Sequence, residues 1–137
     1  MDISLFDNIY KGLSEYIKSL GKENLGNTVV PEAPATPTFP LTVIDETNNI
    51  PLTVCTGIFE RVAVVGYRID IYAKTKGKMN KQEIARKIAS QVDNFMRYKV
   101  GLNATSYNVM PRENDAGIYQ IALVYSGKYH ENKQRIV

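Results

Sequence analysis

The sequence predicts an α+β domain: a mixed or antiparallel four- to five-stranded sheet with a helix packed on one face, and an amphipathic helix at the N-terminus. Three features lead there. From Ile58 to Ala73 the chain alternates, placing Ala63, Val65, Tyr67, Ile69, Ile71 and Ala73 on one face of a strand and Val64, Gly66, Arg68, Asp70 and Tyr72 on the other. One face suits a core and the other is mixed. Asn80-Lys81-Gln82-Glu83 then reads as a helix start, with Asn80 as the cap and Glu83 placed to return a hydrogen bond. Two further strand-like runs, Ala104 to Met110 and Gly117 to Ser126, flank a polar joint at residues 111–116 with the character of a hairpin loop.

Taken in order, Ile3 to Leu20 repeats apolar residues at three- and four-residue spacing (Leu5, Phe6, Ile9, Leu13, Tyr16, Ile17, Leu20), a helical stripe that Gly21 can stop. This stripe needs a partner, either the core helix beside it or a neighbouring molecule. Between Gly21 and Pro40, prolines at 31, 34, 37 and 40 favour an extended linker or arm. Phe39 to Glu46 resumes a strand pattern, with Phe39, Leu41 and Val43 on one face and Asn48-Asn49 before Pro51 marking a turn; Leu52 to Thr56 is a further short strand. The helix from Lys81 to about Tyr98 gathers Ile84, Ala85, Ile88, Val92, Phe95 and Met96 on one side, so it should lie across the sheet. In the last strand Tyr119, Ile121, Leu123 and Tyr125 share one face, and Ile118, Gln120, Ala122 and Val124 the other, a pattern expected of a strand covered on both faces for part of its length. The chain thus divides into a helix (1–20), an arm (21–38), a core (39–127) and a polar tail (128–137) expected to be frayed or ordered by a partner, all within one domain.

Size and composition narrow the class. A chain of 137 residues can bury roughly two thirds of its unfolded surface, enough for a core without staples. The single cysteine, Cys55, forms no intrachain disulfide, and its setting in Leu52-Thr53-Val54-Cys55-Thr56 is that of a buried strand position rather than a nucleophile. Neither a secretory leader nor a membrane span is recognisable, so a soluble, unexported protein is expected. A net charge of +3 is too mild to indicate nucleic-acid binding by itself.

No catalytic constellation stands out. His130, the only histidine, lies in the polar tail rather than in an apolar pocket, and with one cysteine it makes no transition-metal ligand set without recruited carboxylates. Asp45-Glu46 beside a turn, and Glu113 with Asp115 in a hairpin loop, fit solvation and turn chemistry better than an acid–base pair. Gly77-Lys78 lacks the glycine spacing of a phosphate loop. No catalytic, cofactor-binding or metal residue is therefore assigned, and no cofactor. One charged feature exceeds background: Lys74, Lys76, Lys78 and Lys81 form a basic loop, either a solvated turn or, repeated around a symmetric ring, the lining of a pore that DNA traverses. Arg68, Asp70 and Tyr72 fit either a plain surface or a contact across a subunit boundary.

The order of parts resembles tail terminator proteins of long-tailed bacteriophages, also called tail-completion or head-to-tail joining proteins. The resemblance runs from Phe39 to Gly127; its sharpest local match is Ile69-Asp70-Ile71-Tyr72-Ala73-Lys74 followed by a helix several residues later, together with the closing run Ile118 to Gly127. It implies a small, non-enzymatic subunit of a hexameric ring that caps the tail tube and supplies the head-joining surface. Its partners would be copies of itself, the tail tube protein, a head-completion or connector protein and passing phage DNA, with no membrane. It would reside in the virion tail or neck, and in the host cytoplasm during assembly. The match assigns lumen or head-side contacts to the loops at Lys74 to Asn80 and Pro111 to Gly117, the latter carrying Arg112, Glu113 and Asp115. Another phage neck or head-completion protein is the alternative, and a small nucleic-acid-binding protein a more distant one.

Overall fold

The computed structural model describes residues 4–51, 62–110, 117–130 and 135–136. Its spine is a pair of long antiparallel strands, β3 (Val62–Ala73) and β5 (Tyr119–His130), paired residue for residue from Val62 opposite His130 to Ala73 opposite Tyr119. β2 (Leu41–Pro51) lies antiparallel on the other side of β3, and β1 (Thr28–Val30) runs parallel to β2 at the edge. β4 (Ala104–Met110) pairs antiparallel with β5 at the opposite edge, giving the order β1-β2-β3-β5-β4; the two-residue β6 (Arg135–Ile136) pairs with the end of β5. The single parallel pair makes the sheet mixed.

The alternation in β3 decides where the core forms. Ala63, Val65, Tyr67, Ile69, Ile71 and Ala73 are all completely buried, and they join Ile121, Leu123 and Tyr125 of β5 in one cluster with residues from both helices. Each fully buried Ile or Leu contributes about 1.5–3 kcal/mol through the apolar surface it removes from water. α1 (Leu5–Ser19) supplies Leu5, Ile9, Leu13 and Ile17; α2 (Lys81–Phe95) supplies Ile84, Ala85, Ile88, Val92 and Phe95, and Met96 follows. The N-terminal stripe therefore finds its partner within the chain: Phe6 stacks on Tyr67, and Tyr16 meets Phe95 with ring centroids 5.6 Å apart.

Local signals fix the ends of α2. Asn80 accepts the Glu83 N–H at 2.9 Å, while its side-chain amide donates to Glu83 Oε1 at 3.0 Å, so the reciprocal bond forms between side chains. At the other end the α-helix stops at Phe95 and one wider π turn, Met96–Val100, carries the chain to Gly101, whose φ of 92° turns it back toward the sheet. Leu102 then packs over Gly127 so closely that a Cβ there would stand 2.6 Å from Leu102 Cδ2.

Several expectations need correction. Asn48-Asn49 is not a turn: β2 continues to Pro51, and a register shift between Glu46 and Asn48 absorbs the extra residue while pairing with β3 goes on. Pro51 lies at the end of β2 beyond the reach of β1, which pairs it only at Leu41 to Val43, so among the described residues no strand lies on that side of it to need an N–H. Leu41 and Val43 do share a face, but it is the face turned away from the helices; Thr42 and Ile44, opposite Ile71 and Ile69, point to the core side. The arm is not continuous either, since a 3₁₀ turn (Gly21–Asn24) and β1 lie within it, and its long stretch without regular structure is 31–40. Nor does the core end at Gly127. β5 continues through buried Tyr129 and His130, because the long β3 offers backbone partners up to Val62 and β6 covers the other side. His130 is thus a buried strand residue. The proposed strand Leu52 to Thr56 with Cys55, and Ile58 to Arg61, lie outside the described residues.

Candidate interaction surfaces

Both described helices sit on one face of the sheet, leaving the residues of the opposite face without a covering layer among the described residues. On that face the register brings together Arg68, Asp70 and Tyr72 of β3 with Gln120 and Ala122 of β5. Arg68 grips Asp70 two positions along the same strand, through Nε to Oδ2 at 3.1 Å and Nη2 to Oδ1 at 3.2 Å. Gln120 Nε2 donates to Asp70 Oδ1 at 3.0 Å and, more weakly, to the Tyr72 hydroxyl at 3.4 Å. The carboxylate beside it holds the Arg68 guanidinium pKa further up. A forked guanidinium on a carboxylate fixes two directions at once, so these side chains are oriented by contacts within the chain. Around this polar centre lie Leu41 and Val43, opposite Tyr72 and Asp70, and Val124, opposite Arg68. Ala122 is buried even here, a short side chain flanked in register by Asp70 and Asn108.

The three residues singled out on β3 thus form one array. The alternation of the last strand sets Gln120 on one of its two faces without linking it to Arg68, Asp70 and Tyr72; the available signal is an amide beside the apolar run Ile121 to Val124. Arg112, Glu113 and Asp115 lie outside the described residues.

The basic loop separates on folding. Lys76 and Met79 exchange backbone hydrogen bonds of 3.0 and 3.1 Å, closing a tight turn with Lys78 exposed beside its tip. Lys74 turns aside, its ammonium 4.7 Å from the centre of the Phe39 ring, where a cation–π contact holds it against the end of the arm. Lys76 Nζ lies over Gly26, lining with Lys22, Asn24, Leu25 and Met79 a depression between the 3₁₀ turn and the loop. Lys81 opens α2, its N–H donating to Thr75 Oγ1 at 3.2 Å. Nearby, Lys87 binds Glu23 at 2.6 Å and draws that carboxyl below its ordinary pKa. The basic group at this end is therefore Lys22, Lys76 and Lys78 rather than four lysines in a row.

Two part-buried polar contacts belong to the helix side. Tyr125 donates to Asp93 at 2.9 Å, and burial, reinforced by that bond, pushes its phenol well above the ordinary range. Tyr67 donates to Glu46 at 3.2 Å, and burial raises the Glu46 carboxyl despite that bond. Among the described residues no three His, Cys, Asp or Glu side chains gather to hold a metal ion, and no helix is long and apolar enough to cross a membrane. Neither a family model nor a curated protein matches this chain.

Proposed function

We propose that this chain is a structural subunit of a phage virion, a tail terminator that forms a ring, six-membered by the resemblance, on the finished tail tube and offers the surface to which the head joins. One observation supports the reading: a broad sheet face bare of helices among the described residues, whose central side chains Arg68, Asp70, Tyr72 and Gln120 are locked to one another. Such a face suits repeated contact between rigid subunits, because little side-chain freedom is lost on docking. In a ring each contact is weak alone and strong when several act together on a tube end, so assembly awaits a completed tube. The lysines at the end of the sheet, Lys76 and Lys78 with Lys22, would then recur around the lumen and meet the phosphates of passing DNA.

The test is to mix purified protein with assembled tail tubes and image the tube ends, following the mass of the free protein by light scattering. A ring at one tube end is the expected result; a protein that ignores tubes overturns the reading and favours a neck component. Arg68→Glu, at a half-exposed side chain, should lower tube-end occupancy by about tenfold or more while leaving the fold intact, the scale of loss on reversing an interfacial charge. Reversing Lys76 and Lys78 together should impair DNA passage or head joining, and normal infectivity of that double variant would remove the basic loop from the account.

A further inference from the structure

The two edges of the sheet are finished differently. β1 has three residues and runs into Pro31, which has no N–H to offer. β4 has seven, Ala-Thr-Ser-Tyr-Asn-Val-Met, without a charge, a proline or a glycine, and five of the seven are exposed. One side of β4 pairs with β5, and among the described residues no strand pairs its other side. A long, uncharged edge is what soluble proteins ordinarily block, by charge, proline or brevity, because its open backbone groups are a template for another strand. Here the same strand also displays Tyr107 and Val109, 51% and 49% exposed, toward the side of the helices but beyond their cover.

We infer that the free edge of β4 is a self-association surface, pairing antiparallel with β4 of a second copy about a two-fold axis at Asn108. The register follows from the strand itself. An irregularity between Ala104 and Ser106 disturbs the first part, leaving Ser106 to Met110 as the regular stretch, and its middle residue is Asn108. Antiparallel pairing about that residue sets Tyr107 opposite Val109 of the second copy and Val109 opposite its Tyr107, two aromatic–β-branched pairs of the kind that stabilise neighbouring strands. Ser106 meets Met110, and Asn108 meets its own copy. Because the strand is uncharged, no like charges face each other across the axis, the usual obstacle to self-pairing. The groove between α2 and β4, lined by Ala89, Ser90, Tyr107 and Leu123, adjoins the apolar pairs and gives the incoming side chains a wall to pack on. Both copies use the same patch, so the contact closes on itself, and the short β1 edges left outside do not extend it into fibres. A contact of so few strand pairs is smaller than a standard stable interface, so the dimer is reversible.

The inference concerns the free protein and is independent of any role on a tail. Sedimentation velocity over a concentration series, with no tubes present, should show mass rising from one chain to two. Tyr107→Lys with Val109→Lys should keep the chain monomeric throughout that series with an unchanged circular dichroism spectrum. Asn108→Cys in a Cys55→Ser background should oxidise to a covalent dimer, whereas Asn94→Cys, exposed on α2, should not. A chain that is monomeric at every concentration overturns the proposal, as does a dimer or larger ring that survives the lysines and leaves Cys at 108 uncoupled.

Discussion

Alternate residues of the same two strands build both faces of this sheet, yet the faces work by different physics. On the helix side Val65, Tyr67, Ile69 and Ile71 are completely buried, and stability rests on surface hidden from water. On the other side Arg68, Asp70, Tyr72 and the buried Gln120 hold one another in a part-buried array of hydrogen bonds, which satisfy these polar groups and fix their direction. One face is built from apolar burial, and the other from polar side chains that bind one another.

Substitutions can sharpen that contrast. Ile69→Ala, at the centre of the covered face, should cost about 2–5 kcal/mol in urea denaturation, since the cavity lies among neighbours that cannot close it. The same experiment on glycines distinguishes the faces at a smaller scale. Gly127→Ala should cost about 1–3 kcal/mol because its methyl would press on Leu102, which is buried and has nowhere to go. Gly66→Ala meets Asn48 Oδ1 and Thr47 Oγ1 on the open face, both on exposed residues, and should cost markedly less. If the two glycine variants were equally destabilised, the open face would be as tightly packed as the core.

The smallest effect is a titration. Burial raises the Glu46 carboxyl, so between the ordinary carboxyl range and the raised value the folded chain binds more protons than the unfolded one. Stability should therefore decline as pH climbs through that window, and Glu46→Gln should flatten the decline and gain less than about 1 kcal/mol at neutral pH. Thermal melts at several pH values would show it; a wild-type curve that rises through the same window would reverse the assignment.

The parts of this architecture that were legible in the sequence are those governed by periodicity. β3 announced its buried face residue by residue, and α2 announced both its cap at Asn80 and its apolar side. What was hidden depends on partners distant in the chain. Asn48-Asn49 has the composition of a turn, and only the length of β3 opposite keeps it extended. Lys128 to His130 is polar by composition, yet β3 supplies backbone partners that draw it into the sheet. The same holds for the candidate surface: alternation placed Arg68, Asp70 and Tyr72 on one face, but cross-strand register alone brought Gln120 to them. The scattering of the basic loop was invisible because it turns on Phe39 and Gly26, remote residues that fix where Lys74 and Lys76 point.

The parallel pairing of β1 with β2 has a geometric consequence for the proline-rich segment. Thr28 sits opposite Leu41, so the chain leaving Val30 need only return along a three-residue strand, about 10 Å, to begin β2. The stretch from Pro31 to Pro40, extended, would span about 31 Å. It carries slack, but it is moored at both ends, by β1 before it and by Phe39 beneath Lys74 after it. Such a segment projects as an out-and-back loop rather than swinging as a free tether, which roughly halves its reach. Its length can also drift over evolution at little penalty, since doubling a loop costs only about 0.6 kcal/mol, while the strands on either side keep their register.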